Sequence, residues 1–134
     1  MIEIAVIGAH LTGMPLNHEL VAQGAVFLRA VGTRPCYRLH ALAGGPPRRP
    51  GLLRVADREG ASIAAEVWAL PDDGFGRFVA AVPAPLCIGT LLLNDGTAPK
   101  GFLVEPAGLG GSEDITRYGG WRNWLAAVAS PASA

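Results

Sequence analysis

No apolar stretch in this chain outlasts a β-strand. Its 134 residues include 18 glycines and 11 prolines, and these, with scattered charges, cut the hydrophobic sequence into short pieces separated by turns. A helix that crosses a bilayer needs roughly 20 consecutive apolar residues, and no run approaches that, so no transmembrane segment is expected. The first piece, MIEIAVIGAH, sets Ile2, Ile4 and Val6 in alternation with Glu3 and Ala5, the period of a strand with one face on a core. It has an acidic residue at Glu3 and no basic opening, so it does not read as a signal peptide and a cytoplasmic protein is expected.

The same punctuation divides the remainder. Pro15 suits a first helical position, Leu16, Leu20 and Val21 follow at helical spacing, and Gly24 caps a short helix over about residues 15–23. Residues 25–31 and 37–42 read as strands, and GGPPRRPG over 44–51 as a loop. Residues 52–56 and 62–70 flank a polar DREG turn, which suggests a hairpin. Pro71 opens a helix whose first turn carries Asp72 and Asp73, the charge sign that end favours. VPAPLC is a connector because of Pro83 and Pro85. Residues 88–93 and 100–105 surround NDGTAP, a second hairpin signal. A last amphipathic helix spans about 120–129, ahead of a frayed SPASA tail. About seven strands and three helices, not in strict βαβ order, define an α+β domain over 1–129 with a mostly antiparallel, barrel-like sheet.

Composition narrows the partners. Half the residues are hydrophobic, only 16% are charged and the formal net charge is zero, so nothing suggests nucleic acid or an anionic membrane. Cys36 and Cys87 are too few for a disulfide framework and form no C-x-x-C pair, which makes both candidate core thiols.

Chemistry concentrates in GAHLTGMPLNHEL, residues 8–20. A loop leaving a strand and entering a helix offers free backbone N–H groups and the helix's positive end, a setting for a carboxylate or phosphate. Gly8 and Gly13 permit close approach, while His10 and Asn17 add side-chain donors. The alternative is plain turn punctuation whose histidines are satisfied by main-chain carbonyls. The glycine spacing is neither G-x-G-x-x-G nor a P-loop, no G-x-S-x-G elbow occurs, and His10, His18 and His40 lack metal-ligand spacing, so neither a cofactor nor a metal is expected. Glu66, in the apolar strand AAEVWAL, is a buried acid or base if it points inward, or a solvated residue if it does not. Arg38 is a carboxylate clamp or a half-exposed strand arginine. Tyr118 to Arg122 form a polar-aromatic cluster, or simply a helix start packing an aromatic on the core.

Taken in order, VIGAHLTGMPLNHEL, TRPCYRLHAL, AEVWALPDDGFGRFVAAVPAPLCIGTLLLNDG, KGFLVEP and DITRYGGWRNWLA resemble the carboxy-terminal domain of allophanate hydrolases over about residues 4–126. The resemblance implies a γ-glutamylcyclotransferase-like fold with a ligand pocket at the loop after the first strand. It also implies decarboxylation of N-carboxycarbamate, the product an amidase domain makes from allophanate. The chain carries none of the amidase's Ser-Ser-Lys machinery, so it is expected to act as a stand-alone relative beside an amidase partner, or as a binding or dimerisation module for one. FGRFVAAVPAPL contains no acid where cyclotransferases carry a catalytic glutamate, which argues against glutamyl cyclisation; that activity would need Glu66 instead. The expected site has His10 and Glu66 as catalytic residues. Gly8, Ala9, Leu11, Gly13, Asn17, Tyr37 and Arg38 are expected to contact a small anionic substrate.

Overall fold

A computed structural model describes residues 1–129, so the tail expected at 130–134 lies outside the described residues. Among the described residues, eight strands form two sheets. The larger has the order β2 (Val26–Gly32), β5 (Ala64–Leu70), β1 (Ile2–Val6), β7 (Lys100–Val104), β6 (Leu86–Thr90); the smaller has the order β4 (Pro50–Arg54), β3 (Tyr37–Ala41), β8 (Glu113–Asp114). Pairing is antiparallel except between β1 and β7. The architecture is therefore mixed α+β and mostly antiparallel, with the strands shared between two open sheets rather than closed in one barrel.

Strand β1 lies at the centre of the larger sheet, and Ile4, Ala5 and Val6 are all fully buried. The small Ala5 between two branched residues thus belongs to a strand covered on both faces, not to a one-faced alternation. The smaller sheet packs across β7 through Gly51, where any Cβ would press on Val104 and Leu42. Two connections differ from the sequence reading. Strands β4 and β5 form no hairpin: β4 pairs with β3, while β5 pairs with β1 and β2. Local alternation around DREG reports extended backbone and says nothing about which strand lies alongside. Strand β6 begins at Leu86, inside the segment read as a connector, because Pro83 and Pro85 stop just short of it.

Helix α1 (Asn17–Ala22) is shorter than expected, since Pro15 sits in the turns before it. Helix α2 (Asp72–Ala80) carries Asp72 and Asp73 in its first turn and buries Phe78. A side chain at Gly74 would strike the Gln23 carbonyl, so α2 can lie directly against the end of α1. That contact brings Glu19 of α1 and Phe78 of α2 to one place. Helix α3 (Trp121–Ala129) anchors itself through Trp121 and Trp124, 2% and 3% exposed. Cys36 is buried, whereas Cys87 is only half-buried on β6, and both are free thiols. No helix among the described residues is long and apolar enough to cross a membrane.

Candidate active site

The loop between β1 and α1 folds back on itself through consecutive turns. The Leu11 amide donates to the Gly8 carbonyl (3.0 Å), Met14 to Leu11 (2.9 Å) and Leu16 to Ala9 (2.8 Å). Gly8 is required because a Cβ there would overlap the Pro50 ring. Gly13 takes φ +81° at the open tip, a conformation costly for other residues. Ala9 and His10 are buried, yet among the described residues their amides have no protein acceptor. Both residues border a small recess beside His10, so these two donors are free to meet an anion there.

His10 is 7% exposed. Its ring stacks on Phe102 (centroids 5.0 Å apart, 15° between planes) and meets Phe78 edge-on at 5.1 Å. Its Nε2 lies 2.7 Å from Glu19 Oε1. Burial pulls the imidazole below its ordinary pKa, Glu19 pulls partly back up, and Arg49 and His18 push it down again. The net lowering leaves the ring mostly neutral at neutral pH, able to gain a proton when an anion arrives.

His10 forms part of the wall of a cleft of about 310 Å³, with Glu19, Arg49 and Phe102, and with His18 and Arg77 also lining it. On its other side, His10, Arg49 and Phe102 join Gly8 and Ala9 around a small recess of about 20 Å³. Arg49 therefore borders both spaces, and among the described residues its guanidinium has no hydrogen bond or ion pair. Arg77 is committed to Gln23 (2.8 Å) and Asp73 (3.4 Å). A half-buried, unpartnered guanidinium beside unpaired amides suits a carboxylate.

Several expected site residues serve elsewhere. Arg38 lies in the smaller sheet, donating to Asp114 Oδ2 (2.7 Å) and to the Glu59 carbonyl (3.0 Å). Tyr37 is fully buried, and its hydroxyl accepts the Leu92 amide at 2.9 Å. Leu11 packs in the core at 2% exposure. Asn17 buttresses the loop by donating to the His10 carbonyl (2.9 Å). Glu66 is buried, as its apolar neighbours suggest, but it lines neither space beside His10; it accepts the Thr12 amide (2.8 Å), the Thr12 hydroxyl (2.9 Å) and the Trp68 indole (3.2 Å). A free acid or base it is not. Sequence reasoning missed Glu19, which pairs with His10, and above all Arg49. The only signal for Arg49 was an arginine pair inside a proline-flanked loop.

One other cluster invites a catalytic reading. His40 Nδ1 lies 3.2 Å from Ser112 Oγ and its Nε2 4.0 Å from Asp114. The Ser112 hydroxyl, however, donates to the Leu109 carbonyl at 2.7 Å, and Asp114 is held by Arg38 and Thr116. That arrangement does not activate a nucleophile. Among the described residues, no three His, Cys, Asp or Glu side chains are placed to hold a metal ion.

The fold and the cleft define a small α+β domain with a buried histidine and an arginine, unpaired among the described residues, lining one cleft. The chain belongs to the allophanate hydrolase C-terminal domain family, whose pattern matches residues 2–126. Urea amidolyase of Saccharomyces cerevisiae is 44% identical over 127 residues, which is 92% of this chain and 7% of that protein. Kluyveromyces lactis allophanate hydrolase superposes with a TM-score of 0.91 at 40% identity, over 95% of this chain and 21% of that one. A uropathogenic E. coli-specific protein gives 0.85 at 33% identity, covering 92% and 94% of the two chains. A mouse aig2-like protein, TM-score 0.59 and 18% identical, shares the γ-glutamylcyclotransferase-like fold alone. The chain thus spans a small part of the curated relative it matches.

Proposed function

We infer that the domain binds a small dicarboxylate and assists decarboxylation of N-carboxycarbamate during allophanate breakdown, beside an amidase partner that produces it. The observation that carries this reading is that His10 and Arg49, whose guanidinium has no partner among the described residues, line a cleft and, with the Ala9 backbone, the small recess beside it. Family membership supports the substrate class.

In this reading Arg49 and the loop amides hold one carboxylate of the dianion. The nearby negative charge raises the affinity of His10 for a proton, which the imidazole passes to the substrate nitrogen. The bond from that nitrogen to the departing carboxylate breaks with its electron pair left on nitrogen, releasing CO2 and carbamate. Glu19, hydrogen-bonded to Nε2 and itself exposed, connects His10 with solvent and restores the proton. Phe78 and Phe102 keep the inner wall dry, and partial desolvation favours loss of a charged carboxylate as neutral CO2.

The test is carbon-13 NMR of labelled allophanate treated with an isolated amidase domain. Added protein is expected to shorten the lifetime of the carboxylated intermediate in proportion to its concentration, and His10→Ala is expected to lose that effect while remaining folded. An unchanged lifetime with the wild type, or full activity of His10→Ala, would overturn the assignment.

A further inference from the structure

Thr12 lies two residues beyond His10, and all its polar groups are taken by two side chains from distant parts of the fold. Its amide and hydroxyl both donate to Glu66 Oε1 from β5. Its carbonyl accepts Arg122 Nη2 from the first turn of α3. Arg122 and Glu66 also pair with each other at 3.3 Å. Thr12 itself is exposed, so packing alone does not hold it.

The segment that Thr12 belongs to has no regular structure, and most of its other bonds are turns within itself. Such a loop opens readily unless it is fastened to the scaffold. Hydrogen bonds to charged groups are the strong kind, and three donors on one buried carboxylate oxygen make a network that only one loop position satisfies. Nearby alternatives do not do this work: Asn17 holds the far side of His10 through its carbonyl, and Trp68 donates to Glu66 without touching the loop.

We propose that Glu66 and Arg122 are positioning residues, a two-armed clamp on Thr12 that sets where the Ala9–His10 segment presents its amides and imidazole to the cleft. The inference rests on the proposed reaction for its consequence in turnover, but the clamp itself is testable without it. Clamp variants leave every group lining the cleft in place and loosen only its frame. Misplacement of about 1 Å lowers turnover on the order of 100-fold in well-organised sites.

The test compares the whole chain with Glu66→Gln, Thr12→Val and Thr12→Ser, using Asp114→Asn as a control that disturbs an ion pair elsewhere. Amide hydrogen exchange at Ala9 to Thr12 and the His10 ring resonances are read by NMR, alongside kcat and KM for intermediate decay. Glu66→Gln and Thr12→Val are expected to speed exchange across the loop, shift the His10 resonances and lower kcat by about 10-fold or more per folded molecule. Thr12→Ser, which keeps both donors, is expected to restore all three, and Asp114→Asn to change none. If the clamp variants lower the thermal midpoint but leave loop exchange, His10 resonances and kcat at wild-type values, Glu66 and Arg122 merely brace α3 and the inference falls. Should the wild type lack turnover while exchange and resonances still follow the clamp, the positioning role stands and the decarboxylase reading fails by itself.

Discussion

Replacing Arg49 with methionine separates three quantities that usually move together. The guanidinium has no protein partner among the described residues, and its main-chain carbonyl, which accepts the Leu42 amide at 3.0 Å, is untouched. Stability should therefore stay within about 0.5 kcal/mol of wild type, the range for substitutions that break no named interaction. Anion affinity should fall: a hydrogen bond to a charged group contributes about 1.5–3 kcal/mol, or roughly 10- to 150-fold in Kd. The His10 titration should move up, because Arg49 is one of the charges that disfavour the imidazolium. Calorimetry with malonate, an unreactive dicarboxylate, measures the affinity, and NMR of the His10 ring measures the titration. Unchanged malonate affinity, or a His10 midpoint that stays or falls in a fully folded variant, would refute the placement of the anion between these residues.

Other expectations follow from the same contacts. Tyr37→Phe leaves the half-buried Leu92 amide without its acceptor and should cost about 1 kcal/mol in thermal or urea unfolding; malonate affinity should remain at wild type, since Tyr37 lies outside the cleft. Because the folded His10 resists protonation, the unfolded chain takes up that proton first as pH falls through about 6.5. Stability should decline below that point, and His10→Asn should flatten the decline in thermal midpoints measured against pH. Asp114 acts with the same sign in a more acidic window, because its folded carboxyl also resists protonation. Burial pushes its carboxyl up, but the Arg38 guanidinium and Thr116 outweigh this and hold it at about 2. Its contribution is complete above its ordinary value of 3.8 and is lost as pH falls toward 2, so Asp114→Asn should remove that part of the acid profile.

Much of this molecule is legible in its sequence. Alternation in IEIAV located β1, Pro71 with Asp72 and Asp73 located α2, and Gly8, His10 and Gly13 marked the loop that the cleft is built on. These features are local, and local sequence carries them. Partner choice is not local. The DREG segment looked like a hairpin because two extended runs flank it, yet β4 and β5 belong to different sheets. Strand β8 has two residues and no pattern to detect. Arg38 and Glu66 carried the right chemistry for a site, but their roles were decided by Asp114 and Thr12, which lie 76 and 54 residues away in sequence. Arg49 went unnoticed for the converse reason. Its importance lies in having no partner among the described residues, which only the packed structure can reveal.

The location of the anion is the claim on which the rest depends, and amide and ring NMR during malonate titration tests it most directly. The largest shifts are expected at Ala9 and His10, with a second group at Glu19 and Arg49, and little change at Arg38, His40 or Asp114. Saturable shifts centred on the Arg38–Asp114 region, or none anywhere at millimolar malonate, would contradict the account.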